Sequence, residues 1–172
     1  MNETRRNVLR QADTLDLSDY IQSRDFRERT KCRVEYDNEI RQVEYAAYHI
    51  RPVSSLRLVV DDEADYRYKS VDRSVLNRLF ACRGTEDDVL IVRRGLLTDT
   101  TICNVALWDG KRWVTPSVPL LAGTKRASLL DRGELVAGDI RPEDLPAYSR
   151  IRLFNAMIEF GEIDLPVDRI VL

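Results

Sequence analysis

A chain of 172 residues, 44% hydrophobic and 33% charged, can bury one ordinary core or two small lobes sharing an interface. Its net charge of -2 leaves no basic footprint for nucleic acid or for an anionic membrane surface. The opening Met1-Asn2-Glu3-Thr4-Arg5-Arg6 lacks a signal-peptide apolar stretch and no apolar run reaches membrane-spanning length, so the expected location is the cytoplasm.

Residues 2–12 read as a helix with a sparse apolar face, Val8, Leu9 and Ala12, set among Arg5, Arg6 and Arg10. A loop follows, in which Ser18 or Asp19 can start a short helix through Arg27. Residues 31–36 and 43–48 alternate as the two strands of a hairpin turning at Asp37-Asn38-Glu39. One face would carry Cys32, Val34 and Tyr36 with Val43, Tyr45 and Ala47. His49, the only histidine, is expected to be structural or exposed, and residues 56–60 form a buried strand. The four acids within residues 61–65 read as a solvated connector and as the boundary between lobes 1–62 and 63–172. Neighbouring carboxylates converge on one ion only where a turn folds them, so no metal site is expected there.

Beyond the boundary, Ser70 is placed to cap a helix running to about residue 82, with Val71, Val75, Leu76, Leu79 and Phe80 on its apolar side. Gly84 can close that helix. Residues 88–92 make a buried strand, Arg93-Arg94-Gly95 a turn, and Asp109-Gly110 a tight hairpin turn that returns through Trp113-Val114. Pro116 and Pro119 keep the chain extended up to Gly123, where a helix over 124–130 begins. Residues 133–144 read as a polar connector to the last core strand, 150–154, with a tail strand near Ile170. Cys32, Cys82 and Cys103 are odd in number and lack metal-ligand spacing, so reduced, buried thiols are expected.

The stretch Tyr66-Arg67-Tyr68-Lys69-Ser70-Val71-Asp72-Arg73 sets a lysine just ahead of the expected helix, with Arg73 one turn away if the helix begins in time. A lysine becomes a nucleophile or a base only where a cationic neighbour or desolvation destabilises its ammonium. Alone, Lys69 is one solvated charge among 27 Lys and Arg. Three later stretches change that reading: Leu97-Thr98-Asp99-Thr100-Thr101-Ile102-Cys103-Asn104, Leu120-Leu121-Ala122-Gly123-Thr124-Lys125-Arg126 and Leu153-Phe154-Asn155-Ala156-Met157. In this order and spacing, over residues from about 31 to 160, the chain resembles the class IV aminotransferases. That family of pyridoxal-phosphate enzymes includes branched-chain and D-amino-acid aminotransferases and 4-amino-4-deoxychorismate lyase.

The resemblance implies an α+β chain of fold type IV, like D-amino-acid aminotransferase, with a shortened N-terminal α/β lobe and a barrel-like C-terminal lobe. It also implies a homodimer and a small-molecule amine substrate. Pyridoxal 5'-phosphate needs an amine to hold it, a carboxylate beside its ring nitrogen and an anion site for its phosphate. Lys69 would be the amine and the catalytic base, and Arg73 would face the phenolic oxygen. Asp99 stands where the family usually has glutamate; being one methylene shorter, it needs either a closer backbone or a bridging water. Asn104 would fix that loop through hydrogen bonds. Gly123, Thr124 and Lys125 would bind the phosphate at a helix start, and Asn155 with Ala156 would make the second phosphate contact.

Class IV enzymes normally open with a strand and a His-x-x-Arg segment whose arginine holds the phosphate. None precedes Asn2, so the chain is expected to begin late, to be trimmed or to be a shortened relative. Lys69-x-x-Asp72-Arg73 is similar to the lyase pattern, which implies conversion of aminodeoxychorismate to 4-aminobenzoate and pyruvate. The alternatives are a class IV aminotransferase acting on branched-chain or D-amino acids, and a non-catalytic homologue serving as a scaffold.

Overall fold

The computed structural model describes residues 1–22 and 26–172 and divides into two compact units, Met1–Ile50 and Arg51–Leu172. In the first, α1 (Asn2–Asn7) stops well short of residue 12, because its apolar face has little to cover it and Val8 remains exposed. A 3-10 turn, Leu17–Asp19, is opened by Asp16 rather than by Ser18 or Asp19: the Asp16 carboxylate accepts from the Ser18 N–H at 2.9 Å. The helix expected through Arg27 crosses residues 23–25, which lie outside the described residues.

The expected hairpin is present as β1 (Thr30–Tyr36) and β2 (Ile40–Ala47), with Cys32 opposite Tyr45 and Val34 opposite Val43. A bulge between Glu35 and Tyr36 sets Tyr36 opposite Ile40. Among the described residues of this unit only Arg5 is buried. Its guanidinium donates to the Asp13 carbonyl at 3.1 Å, the Asp13 carboxylate at 3.0 Å and the Asn38 carbonyl at 2.8 Å. A charge thus ties helix, loop and hairpin turn together where a small lobe would usually use an apolar core.

The second unit opens with β3 (Leu56–Val60), α2 (Ser74–Ala81), β4 (Asp88–Arg93) and β5 (Leu96–Leu97). It continues through β6 (Asn104–Trp108), β7 (Trp113–Pro116), α3 (Thr124–Asp131), β8 (Leu135–Gly138), β9 (Arg150–Asn155), β10 (Ile158–Pro166) and β11 (Ile170–Val171). One sheet has the order β11-β3-β4-β5 and the other β10-β9-β6-β7-β8. β3 and β4 are parallel, and a parallel pair needs a crossover, which α2 provides. Val89, Leu90 and Ile91 are fully buried, as expected of a strand covered on both faces. Leu76 and Leu79 of α2 pack with Val89, Ile91, Ala64 and Leu120, while Leu129 of α3 packs with Ala106, Leu135 and Phe154.

Several expectations change. β3 pairs along its length with β4 and lies in the second unit, so the division falls at Ile50/Arg51, ahead of the acidic run. That run is bonded rather than merely solvated: Asp61 pairs with Arg78 at 2.6 Å and Asp62 accepts from the Arg94 N–H at 2.6 Å. Residues 133–144 contain β8, which pairs parallel with β7, and β9 is followed by the nine-residue β10. Cys32 and Cys82 are exposed, leaving only Cys103 buried. No helix of the described residues is long and apolar enough to cross a membrane.

Candidate active site

The segment between β5 and β6 is fixed from several sides. The Thr98 N–H and hydroxyl both donate to the Ile91 carbonyl, at 2.9 and 2.8 Å, and the Ile91 N–H donates to the Asp99 carbonyl at 2.9 Å, prolonging the β4 pairing. The Thr100 N–H donates to the Cys103 carbonyl and the Cys103 N–H to the Thr100 hydroxyl, which closes a turn. Thr101 donates at 2.7 Å to Asp88, a fully buried carboxylate that also takes Arg51 at 2.8 Å.

This scaffold buries Asp99. One carboxylate oxygen accepts from Asn104 Nδ2 at 2.8 Å and the other from the Leu121 N–H at 2.8 Å. Burial pushes the Asp99 carboxyl up to about 7, although the Leu121 N–H, the Asn104 amide and the Arg126 charge all pull it back down. Asn104 Nδ2 also donates to the Leu121 carbonyl at 2.8 Å. Its amide oxygen occupies the space where a Cβ on Gly123 would stand, 2.2 Å from that position. Gly123 is therefore needed by Asn104, a reason different from phosphate approach, and its φ of -67° is open to any residue.

Gly123 is also the N-cap residue of α3, and no side chain caps that helix. Thr124 is exposed in its first turn. The Lys125 ammonium is paired with Glu159 of β10, which leaves its backbone N–H as the group facing the helix start. Arg126 is buried, donating to the Pro116 carbonyl at 2.7 Å and to the Thr115 hydroxyl at 3.3 Å, and burial lowers its pKa.

The Asn155 side chain is fully engaged. Its amide nitrogen donates to the Ile102 carbonyl at 3.0 Å, and its oxygen accepts the Met157 and Ile158 N–H groups at 2.7 and 3.0 Å. It builds the turn after β9 and ties that turn to the Ile102 loop, while Ala156 sits exposed within it.

Lys69 lies outside the helix. α2 begins at Ser74, and the Asp72 carboxylate, not Ser70, meets its first N–H, at 2.8 Å to Ser74. Lys69 has a left-handed backbone, φ +54°, and its N–H donates to the Tyr66 carbonyl at 3.1 Å. Arg73 consequently does not share a helical face with Lys69. Its guanidinium donates to the Tyr66 hydroxyl at 3.1 Å and to the Thr101 carbonyl at 2.9 Å, and no carboxylate among the described residues forms an ion pair with it.

Bond by bond, the Lys69 loop joins the Asp99 segment through Tyr66, Arg73 and Thr101, and Asn104 joins that segment to the stretch leading into α3. Sequence reasoning missed Tyr66, Thr101 and Asp88. An aromatic three residues ahead of the lysine was a signal for Tyr66; an aspartate opening a strand carries none.

With this geometry in place, comparison with known proteins identifies the class. The sequence pattern described as amino-transferase class IV matches residues 11–164, and the chain belongs to that family. An uncharacterized protein of Haemophilus influenzae is 38% identical over 127 residues, covering 74% of this chain and 68% of its own length. A crystal structure named "putative 4-amino-4-deoxychorismate lyase" from Haemophilus somnus superposes with a TM-score of 0.72 at 36% identity, over 75% of this chain and 66% of that one. A hypothetical aminotransferase from Mycobacterium tuberculosis in its PLP-bound form gives a TM-score of 0.63 at 19% identity, over 78% of this chain and 59% of that one. The chain thus spans about two thirds or less of the length of these three proteins. The fold is fold type IV, with mixed α/β architecture.

Proposed function

We propose that this protein uses pyridoxal 5'-phosphate and acts as a lyase on aminodeoxychorismate, releasing pyruvate and 4-aminobenzoate. The observation that carries the cofactor reading is the buried Asp99 carboxylate, fixed on one oxygen by the Asn104 amide and on the other by the Leu121 N–H, an anchored acceptor suited to the N–H of a protonated ring nitrogen. The rest of the donor set fits the same group. Among the described residues Arg73 bonds only neutral oxygens, so its charge is left for a phenolic oxygen. The uncapped start of α3 offers backbone N–H groups of Gly123, Thr124 and Lys125 to a phosphate, and the turn at Asn155 and Ala156 offers a second contact through the Ala156 backbone. Asn104 holds Asp99 in place.

When bound, pyridoxal phosphate supplies an electron sink for a carbanion beside the amine nitrogen. Lys69 provides the amine that anchors the cofactor and, once displaced by substrate, the base that takes the proton from the amine-bearing carbon. Asp99 holds a proton at the ring nitrogen. Loss of that proton and of the enolpyruvate side chain, which takes up a proton to become pyruvate, would leave an aromatic ring, so no amino acceptor is needed. Lys69-x-x-Asp72-Arg73 and the similarity to the Haemophilus somnus protein support the lyase branch. A homodimer in the cytoplasm completes this reading.

Borohydride reduction of protein incubated with the cofactor, followed by mass spectrometry, is expected to place a pyridoxyl group on Lys69. The protein should then release pyruvate from aminodeoxychorismate with no keto acid added. An unlabelled Lys69 at saturating cofactor would favour a scaffold role. Amino-group exchange between amino and keto acids, with aminodeoxychorismate untouched, would assign the protein to the aminotransferases.

A further inference from the structure

We propose that Tyr66 is a positioning residue that sets the direction of the Lys69 side chain and fixes the Arg73 guanidinium, an inference that rests on the cofactor-holding role given to Lys69 above. Tyr66 meets the loop at three points. Its backbone carbonyl accepts the Lys69 N–H at 3.1 Å, its hydroxyl donates to the Ser70 carbonyl at 3.0 Å, and the same hydroxyl accepts from Arg73 Nη1 at 3.1 Å. The Arg73 guanidinium carbon also lies 5.4 Å from the centre of the Tyr66 ring.

The ring itself is packed against the cluster of Ala64, Leu76, Leu79, Val89, Ile91 and Leu120. Tyr66 therefore has a fixed end in the core and a polar end in the loop. Lys69 lies between two of its bonds, at a φ of +54° that residues with a Cβ rarely adopt. A residue held there directs its Cβ differently from one in an extended or right-handed conformation, so the bonds to Tyr66 set the direction in which the Lys69 side chain leaves the backbone. Arg73 is held from its other side by the Thr101 carbonyl, and Thr101 is anchored on buried Asp88. Tyr66 and Asp88 thus grip the two ends of one short bonded chain.

Tyr66→Phe removes the hydroxyl and keeps the packed ring, so the melting temperature should stay within a few degrees. Amide hydrogen exchange at Lys69 and its neighbours is expected to speed up by about tenfold, the consequence of losing a bond of ordinary strength that closes the loop. In protein loaded with pyridoxal phosphate, the pH at which the visible absorbance changes should move by about one unit as Arg73 loses its fixed position. Tyr68→Phe, which alters an exposed neighbour, should change neither reading. Exchange and absorbance in Tyr66→Phe that both match the wild type, with Lys69 still labelled, would overturn the proposal and leave the cofactor reading standing. Should wild-type Lys69 take no label, the cofactor reading falls separately, and the exchange rate alone decides whether Tyr66 holds the loop.

Discussion

Replacing Gly123 with alanine is the sharpest test of how the site is built. The backbone at Gly123, φ -67° and ψ 144°, accepts alanine without strain, so any effect comes from the added methyl. That methyl would lie 2.2 Å from the Asn104 amide oxygen, and the oxygen must retreat by about 1 Å to reach a tolerable contact. Asn104 Nδ2 belongs to the same rigid amide, so its 2.8 Å bonds to Asp99 and to the Leu121 carbonyl lengthen together. A neutral bond contributes about 1 kcal/mol and one to a carboxylate about 1.5–3 kcal/mol, giving an expected loss of about 3 kcal/mol. Urea unfolding at pH 8 of Gly123→Ala, Asn104→Ala and the double variant measures this directly. In the Asn104→Ala background the clashing oxygen is gone, and the alanine at 123 should cost less than about 0.5 kcal/mol. A single Gly123→Ala variant as stable as the wild type, or an equal penalty in both backgrounds, would refute the reasoning.

Two other outcomes follow from burial. The Asp99 carboxyl is raised from 3.8 to about 7, so the folded cofactor-free protein binds a proton that the unfolded chain has already lost between those values. Its contribution to stability is full below about pH 4, falls as pH rises through about 7 and is flat above; in Asp99→Asn this loss should be absent from the denaturation profile, while borohydride labelling of Lys69 persists and pyruvate release slows. Exposed Cys32 and Cys82 should react quickly with an aromatic disulfide reagent, whereas Cys103, buried with its thiol pushed up to about 12, should react only on unfolding.

The strands that alternate or run apolar were legible from the order of residues alone: β1, β2, β3, β4 and β9 fall where periodicity places them. β10 was not, because Gly161, with φ +108°, and the irregular register between Ile158 and Ile163 interrupt its alternation. β8 is four residues long between charged neighbours and exists through its pairing with β7, which no local pattern encodes. The late start of α2 has a similar cause. Ser70 and Asp72 are both acceptable caps, and with Lys69 at φ +54° and the Ser70 carbonyl taken by the Tyr66 hydroxyl, it is Asp72 that meets the Ser74 N–H. Asp99, Asn104 and Gly123 could be picked out one by one, yet the reason they occur together, an amide oxygen resting where glycine has no side chain, is visible only in three dimensions.

The pairing of β11 with β3 governs how this chain can come to be folded. Ile170 lies beside Leu56 and Val171 beside Arg57, and the Arg57 guanidinium reaches the Leu172 carbonyl across 115 residues of sequence. During synthesis β3 and β4 can pair as soon as α2 has crossed between them, but one edge of β3 stays open until Ile170 and Val171 have left the ribosome. An open edge of this kind is where strands of different chains add to one another, and contacts so distant in sequence form slowly. A stalled or clipped product ending before Ile170 would carry that bare edge permanently, and aggregation of such products through β3 is the hazard built into closing the sheet with a strand so distant in sequence.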